Sequence, residues 1–128
     1  MKIAANIAGG LLGLAFIAFA LMFFLDLMPK QPKPVAGSPA ALFMGAFVPT
    51  HYLTFVKVCE LIGGILVAIP FTRNFGLLVL GPILVNILAF HVFIVGMASV
   101  LDPVLIFLCL LAVFLLWTAR KNFSALRN

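Results

Sequence analysis

The first apolar run of the chain extends from Ile3 to Leu25 with a single polar interruption at Asn6. A run of that length covers the roughly 20 residues that one helix needs to cross the hydrocarbon core of a bilayer. Further stretches rich in Leu, Ile, Val and Phe follow it over residues 51–69, 75–96 and 103–120. Water is the wrong solvent for such a chain. Of its 128 residues 66% are hydrophobic and 9% carry a formal charge, against about 25% charged in a typical soluble domain. The sequence therefore predicts an all-α membrane protein: one domain over residues 1–128, folded as a four-transmembrane-helix bundle with the lipid bilayer as its main partner. The net charge of +5 comes from cations spread singly along the chain. They form no basic stripe, so nucleic acid is not an expected partner.

The opening Lys2, the apolar stretch and Ala18-Phe19-Ala20 imitate a secretory signal with a small-residue cleavage site. Because Leu21 to Leu25 carry the apolar run past that point, a retained helix over about 3–28 is expected. Residues 29–39 then hold four prolines, two lysines, Gln31, Gly37 and Ser38, a composition that neither helix nor strand tolerates. This segment is an extramembrane loop. Ser38-Pro39 has the form of an N-cap followed by proline at the first helical position. It opens a short helix over 40–48, only roughly 14 Å long and so interfacial or re-entrant. Spans over 51–69, 75–96 and 103–120 complete the chain, with Asn74 and Asp102 as caps of the last two. Lys2, Arg73, Arg120, Lys121 and Arg127 fall on the terminal side, against Lys30 and Lys33 on the other. That imbalance places both termini in the cytoplasm.

Lipid should exclude Lys57 and Glu60 from the second span and Asn86 and His91 from the third, since a charge at mid-helix costs about 2.5–3.5 kcal/mol even on the lenient insertion scale. Lys57 and Glu60 are three residues apart, share a helix face and can pair. Counted from the loop ends of their helices, Glu60 lies roughly 13 Å deep, His91 roughly 8 Å and Asn86 roughly 15 Å. These depths place the four residues in one polar cluster between adjacent antiparallel helices, a candidate ligand- or proton-handling site. The bland alternative is structural: Lys57 snorkels, Glu60 is a protonated acid, and Asn86 bridges helices. Pro82, four residues before Asn86, is expected to kink the third span and open space beside the cluster. Gly63-Gly64 on the second span, with Gly9-Gly10 and Gly13 on the first, suit close helix approach.

Other chemistry lacks its residues. Cys59 and Cys109 form no C-x-x-C pair, and buried free thiols are the expectation over a bridge between them. His51 and His91 differ too much in depth to serve as paired haem ligands. The sequence carries no phosphate-binding loop, dinucleotide fingerprint, metal-ligand cluster or nucleophile elbow. Phe and Trp117 have ordinary explanations as lipid-facing bulk and interfacial anchor.

The stretch Val56-Lys57-Val58-Cys59-Glu60-Leu61-Ile62-Gly63-Gly64, followed by Ile69-Pro70-Phe71-Thr72-Arg73-Asn74 and by Gly81-Pro82-Ile83-Leu84-Val85-Asn86-Ile87-Leu88 with His91, resembles the DoxX and DoxX-like family of small bacterial membrane proteins. The resemblance implies a four-helix inner-membrane protein with a signature glutamate on helix two and histidine on helix three. Those positions are Glu60 and His91 here, accompanied by Lys57, Gly63, Gly64, Arg73, Pro82 and Asn86. The family includes the small subunit of a thiosulfate:quinone oxidoreductase, and other members are linked to redox stress and catechol or quinone handling.

The leading expectation is a small membrane subunit or binding protein that places a quinone-like molecule, or another lipophilic redox partner, at Lys57, Glu60, Asn86 and His91. Glu60 would exchange protons, His91 would bond a carbonyl or hydroxyl group, Lys57 would hold the Glu60 charge, and Asn86 would orient the ligand. The short helix over 40–48 would act as its lid. No covalently bound cofactor and no metal are expected. Two alternatives come from other classes: a small proton-coupled exporter of hydrophobic compounds, and a structural scaffold for a soluble or membrane redox enzyme. A homo-oligomer is compatible with all three.

Overall fold

Apolar runs free of proline clusters set the helices of this chain, and a few special backbone positions end them. The structure, a computed structural model, describes residues 2–29 and 32–127, so Lys30 of the loop lies outside the described residues. Its α-helices are α1 (Lys2–Phe24), α2 (Pro39–Phe47), α3 (Tyr52–Ala68), α4 (Arg73–Ala89), α5 (Pro103–Thr118) and α6 (Arg120–Ser124). A 3-10 turn, Pro70–Thr72, leads into α4; a π-helical segment, Phe90–Val95, prolongs it; and a second 3-10 stretch, Met97–Leu101, leads to α5. No strand occurs among the described residues. Two helical stretches, Lys2–Phe24 and Pro70–Val95, are long and apolar enough to cross a membrane. A third is added if α2 and α3, bent by 78° where they meet, count as one broken span. α5 is apolar but shorter, at 16 residues.

α1 stops at Phe24, four residues before the expected end of the first span. Asp26 turns left-handed, with φ 56°. Its N–H donates to the Phe23 carbonyl (3.2 Å), and the Leu27 N–H donates to that of Met22 (2.8 Å). These two bonds close a Schellman ending, built on aspartate where glycine is usual. α2 opens on Ser38, whose Oγ accepts from the Ala41 N–H at 3.2 Å, with Pro39 in the first turn. At the other end of the Pro-rich loop's short helix the chain bends at His51, also left-handed with φ 62°.

The cap of α4 differs from the sequence expectation. Thr72, not Asn74, precedes the helix, and no side chain caps it; the Thr72 hydroxyl instead donates back to the Leu66 carbonyl at 2.8 Å. α4 runs unbroken through Pro82. The departure from α geometry comes later, in the π segment, which ends at Gly96 with φ 132°, a backbone that favours glycine. Asp102 caps α5 by accepting from the Val104 N–H at 2.9 Å.

α1 packs along α3, α3 along α4, and α5 against α1 and α4. Leu12, Phe16, Val67, Leu80 and Leu115 are almost wholly buried where these helices meet. Glycine lets the backbones approach. A Cβ on Gly76 would lie 2.5 Å from both the N and the Cγ2 of Val67 and 2.9 Å from the Gly63 carbonyl, so α3 and α4 come too close here for a side chain at Gly76. Outside, large apolar residues such as Leu14, Phe55, Phe75, Val85 and Leu110 are exposed, a surface suited to hydrocarbon. Cys59 and Cys109 are free and half-buried.

Candidate functional site

A cavity of about 630 Å³ opens where the start of α3, the end of α4 and the short α2 converge. Lys57, Glu60, Asn86 and His91 all border it. Helical spacing explains why: Lys57 and Glu60 lie on one face of α3, and Asn86 and His91 come from successive turns at the facing end of α4 and the π segment.

Glu60 is 4% exposed, which an ionised carboxylate tolerates only with a partner. Lys57 supplies it, its Nζ lying 3.0 Å from Oε2. The Lys57 ammonium also lies 5.9 Å from the centre of the Phe23 ring, at the end of α1, a favourable cation–π placement. Lys57 thus forms the pair with Glu60 that their spacing allows, backed by an aromatic face.

His91 is held by its own helix. Its Nδ1 lies 2.8 Å from the Ile87 carbonyl oxygen. A carbonyl only accepts, so Nδ1 carries the proton, and in the neutral ring Nε2 is left as an acceptor. Asn86 makes a similar back-bond, donating through Nδ2 to the Pro82 carbonyl at 2.9 Å. Its Oδ1 and second N–H have no partner among the described residues. The site therefore combines a paired carboxylate, an oriented imidazole acceptor and a partly free amide.

The π segment shapes the wall these groups share. Phe90, His91, Phe93 and Ile94 of this segment all border the cavity. Such π turns are frequent at functional sites. The Gly96 N–H donates to the His91 carbonyl at 2.8 Å, and the Ser99 hydroxyl donates to it at 3.2 Å, fixing the segment at the residue that matters.

Aromatic residues that composition alone assigns to lipid-facing bulk form the roof. On α2, Phe43 and Phe47 stack at 4.0 Å between ring centres. Phe43 reaches Phe90 at 4.8 Å, and Phe47 reaches Tyr52 at 4.7 Å. The four-residue spacing of Phe43 and Phe47 is the only signal in the sequence that pairs them. His51 is exposed and lies outside the cavity wall. Among the described residues no group of three or more His, Cys, Asp or Glu could hold a metal ion.

Compared with protein-family models, with curated proteins and with solved structures, the chain gives no match.

Proposed function

We propose that this protein is a four-span inner-membrane protein of the DoxX-like type that holds a quinone-like lipophilic molecule between α2, α3 and α4. The observation that carries this proposal is the union, in one cavity of about 630 Å³, of an apolar aromatic wall with the Lys57–Glu60 pair, His91 and Asn86. A volume of that size falls in the range of small-molecule sites, which are mostly apolar with a few placed polar groups. A quinone ring fits the aromatic wall. Its carbonyls accept from Lys57 or Asn86, and the hydroxyl of its reduced form donates to His91 Nε2. Glu60, beside Lys57, is the group placed to exchange a proton with that hydroxyl. The α2 helix covers the ring as a lid.

In this reading α3 and α5 also cross the bilayer, and both termini face the cytoplasm. The convergence of Lys2, Arg73 and Arg120 at the end opposite α2 supports that orientation. The protein then serves as a membrane subunit or binding protein beside a redox partner, soluble or membrane-bound, in a bacterial inner membrane. Titration of the purified protein in nanodiscs with decylubiquinone tests the proposal: saturable binding is expected, weakened at least tenfold in the Glu60→Gln/His91→Ala variant. Equal binding by wild type and variant overturns it.

A further inference from the structure

At the opposite end of the bundle a second cavity, of about 340 Å³, is bordered by three cations from three helices: Lys2 at the start of α1, Arg73 at the start of α4, and Arg120 just after α5. Asn74, Thr118 and Asn122 add polar side chains to the same wall. Among the described residues no side-chain carboxylate borders this cavity. The chain has three acidic side chains in all: Asp26 follows the far end of α1, Asp102 precedes the far end of α5, and Glu60 is paired with Lys57 at the other cavity.

The two guanidinium groups are held in place before any ligand arrives. Arg73 donates through Nε to the Val67 carbonyl (3.2 Å) and through Nη1 to Asn6 Oδ1 (3.1 Å). Its Nη2 is buried without a partner among the described residues. Arg120 donates through Nη1 to the Trp117 carbonyl (2.8 Å), and its guanidinium lies 4.6 Å from the Trp117 ring centre. Arg73 is half-buried, which is costly for a cation without a counter-charge; Lys2 and Arg120 are exposed at the rim, and three cations around one recess make a strong local field. Arg is also the side chain best suited to phosphate oxygens.

We infer that this cavity binds a phosphate group, which supplies the counter-charge that the chain's own side chains do not. Asn74 and Asn122 donate to its remaining oxygens. The group comes either from the headgroup of an anionic phospholipid or from a soluble phosphate compound, and one experiment separates the sources. The full chain is reconstituted in nanodiscs of phosphatidylcholine with about one quarter phosphatidylglycerol and released for native mass spectrometry. In parallel, thermal unfolding is followed in pure phosphatidylcholine nanodiscs with inorganic phosphate or with chloride at equal ionic strength.

Preferential retention of one phosphatidylglycerol identifies the lipid source; a rise in unfolding temperature with inorganic phosphate, without lipid preference, identifies the soluble one. In either case Lys2→Gln and Arg120→Gln, which leave the Arg73–Asn6 contact in place, lower occupancy about fivefold each. Lys121→Gln/Arg127→Gln, outside the cavity wall, leaves it unchanged. Absence of both responses overturns the inference, as does an equal loss in the Lys121→Gln/Arg127→Gln control.

Discussion

Gly13 of α1 and Gly64 of α3 meet backbone to backbone: a Cβ on Gly13 would lie 2.5 Å from the Gly64 carbonyl oxygen, and one on Gly64 would lie 3.0 Å from that of Gly13. Neither carbonyl can move without disturbing its own helix. Gly13→Ala is therefore expected to lower stability by about 1–3 kcal/mol, the cost of overpacking. Gly10→Ala, where nothing lies within 4 Å, should be neutral or slightly stabilising because alanine is the better helix former. Unfolding of the two variants in one detergent checks the contrast.

The Lys57–Glu60 pair should behave as a unit. Its side chains are 18% and 6% exposed, so removing one partner leaves a poorly solvated charge. Lys57→Met alone or Glu60→Met alone is expected to cost about 3 kcal/mol. The double change Lys57→Met/Glu60→Met should cost less than either, a non-additivity measurable by a double-mutant cycle on unfolding free energies. Additive losses would show that the two side chains act separately.

His51 holds a left-handed backbone (φ 62°) with no side-chain cap bond at the bend between α2 and α3. Left-handed geometry costs an L-residue roughly 1–2 kcal/mol, and a β-branched side chain fits it worst. His51→Val should lower the unfolding temperature, whereas His51→Gly should hold or raise it. The comparison separates backbone strain from any task of the imidazole, since both variants lack the ring.

Phe43 joins α2 to the π segment through Phe90 at 4.8 Å. An aromatic pair of this kind contributes about 0.5–1.5 kcal/mol beyond its area. If α2 is the lid of the quinone site, Phe43→Ala should speed release of decylubiquinone by about threefold to tenfold and change its capture far less. Stopped-flow dissociation in nanodiscs reads both rates.

Local chemistry was legible in the residues; long-range packing was not. Ser38 and Asp102 declare their caps because the bond each makes is with a neighbour two or three residues along. Asn74 misleads as a cap, because Thr72 lies before the helix and spends its hydroxyl on a carbonyl six residues back. Lys57, Glu60, Asn86 and His91 stand out because lipid disfavours them, so their convergence on one cavity could be anticipated from depth alone. Phe43 and Phe90 carry no such mark. In a chain with 14 phenylalanines, nothing local tells a ring that roofs a cavity from one that faces lipid. Asn6, the lone polar residue of the first run, finds its explanation in Arg73, 67 positions away.

The π segment also alters how the third long helix presents itself to any probe of helical phase. Up to Ala89, cysteines introduced one by one and tested with a lipid-phase label should give reactivity with the α-helical repeat. From Phe90 to Val95 the repeat lengthens. A single periodic wave fitted across both parts would fall progressively out of phase from Phe90 onward. Deleting one residue there should restore the phase, because a π turn holds about one residue more than an α turn. The segment thus acts as a register shift written into the chain, setting which side chains the last turn offers.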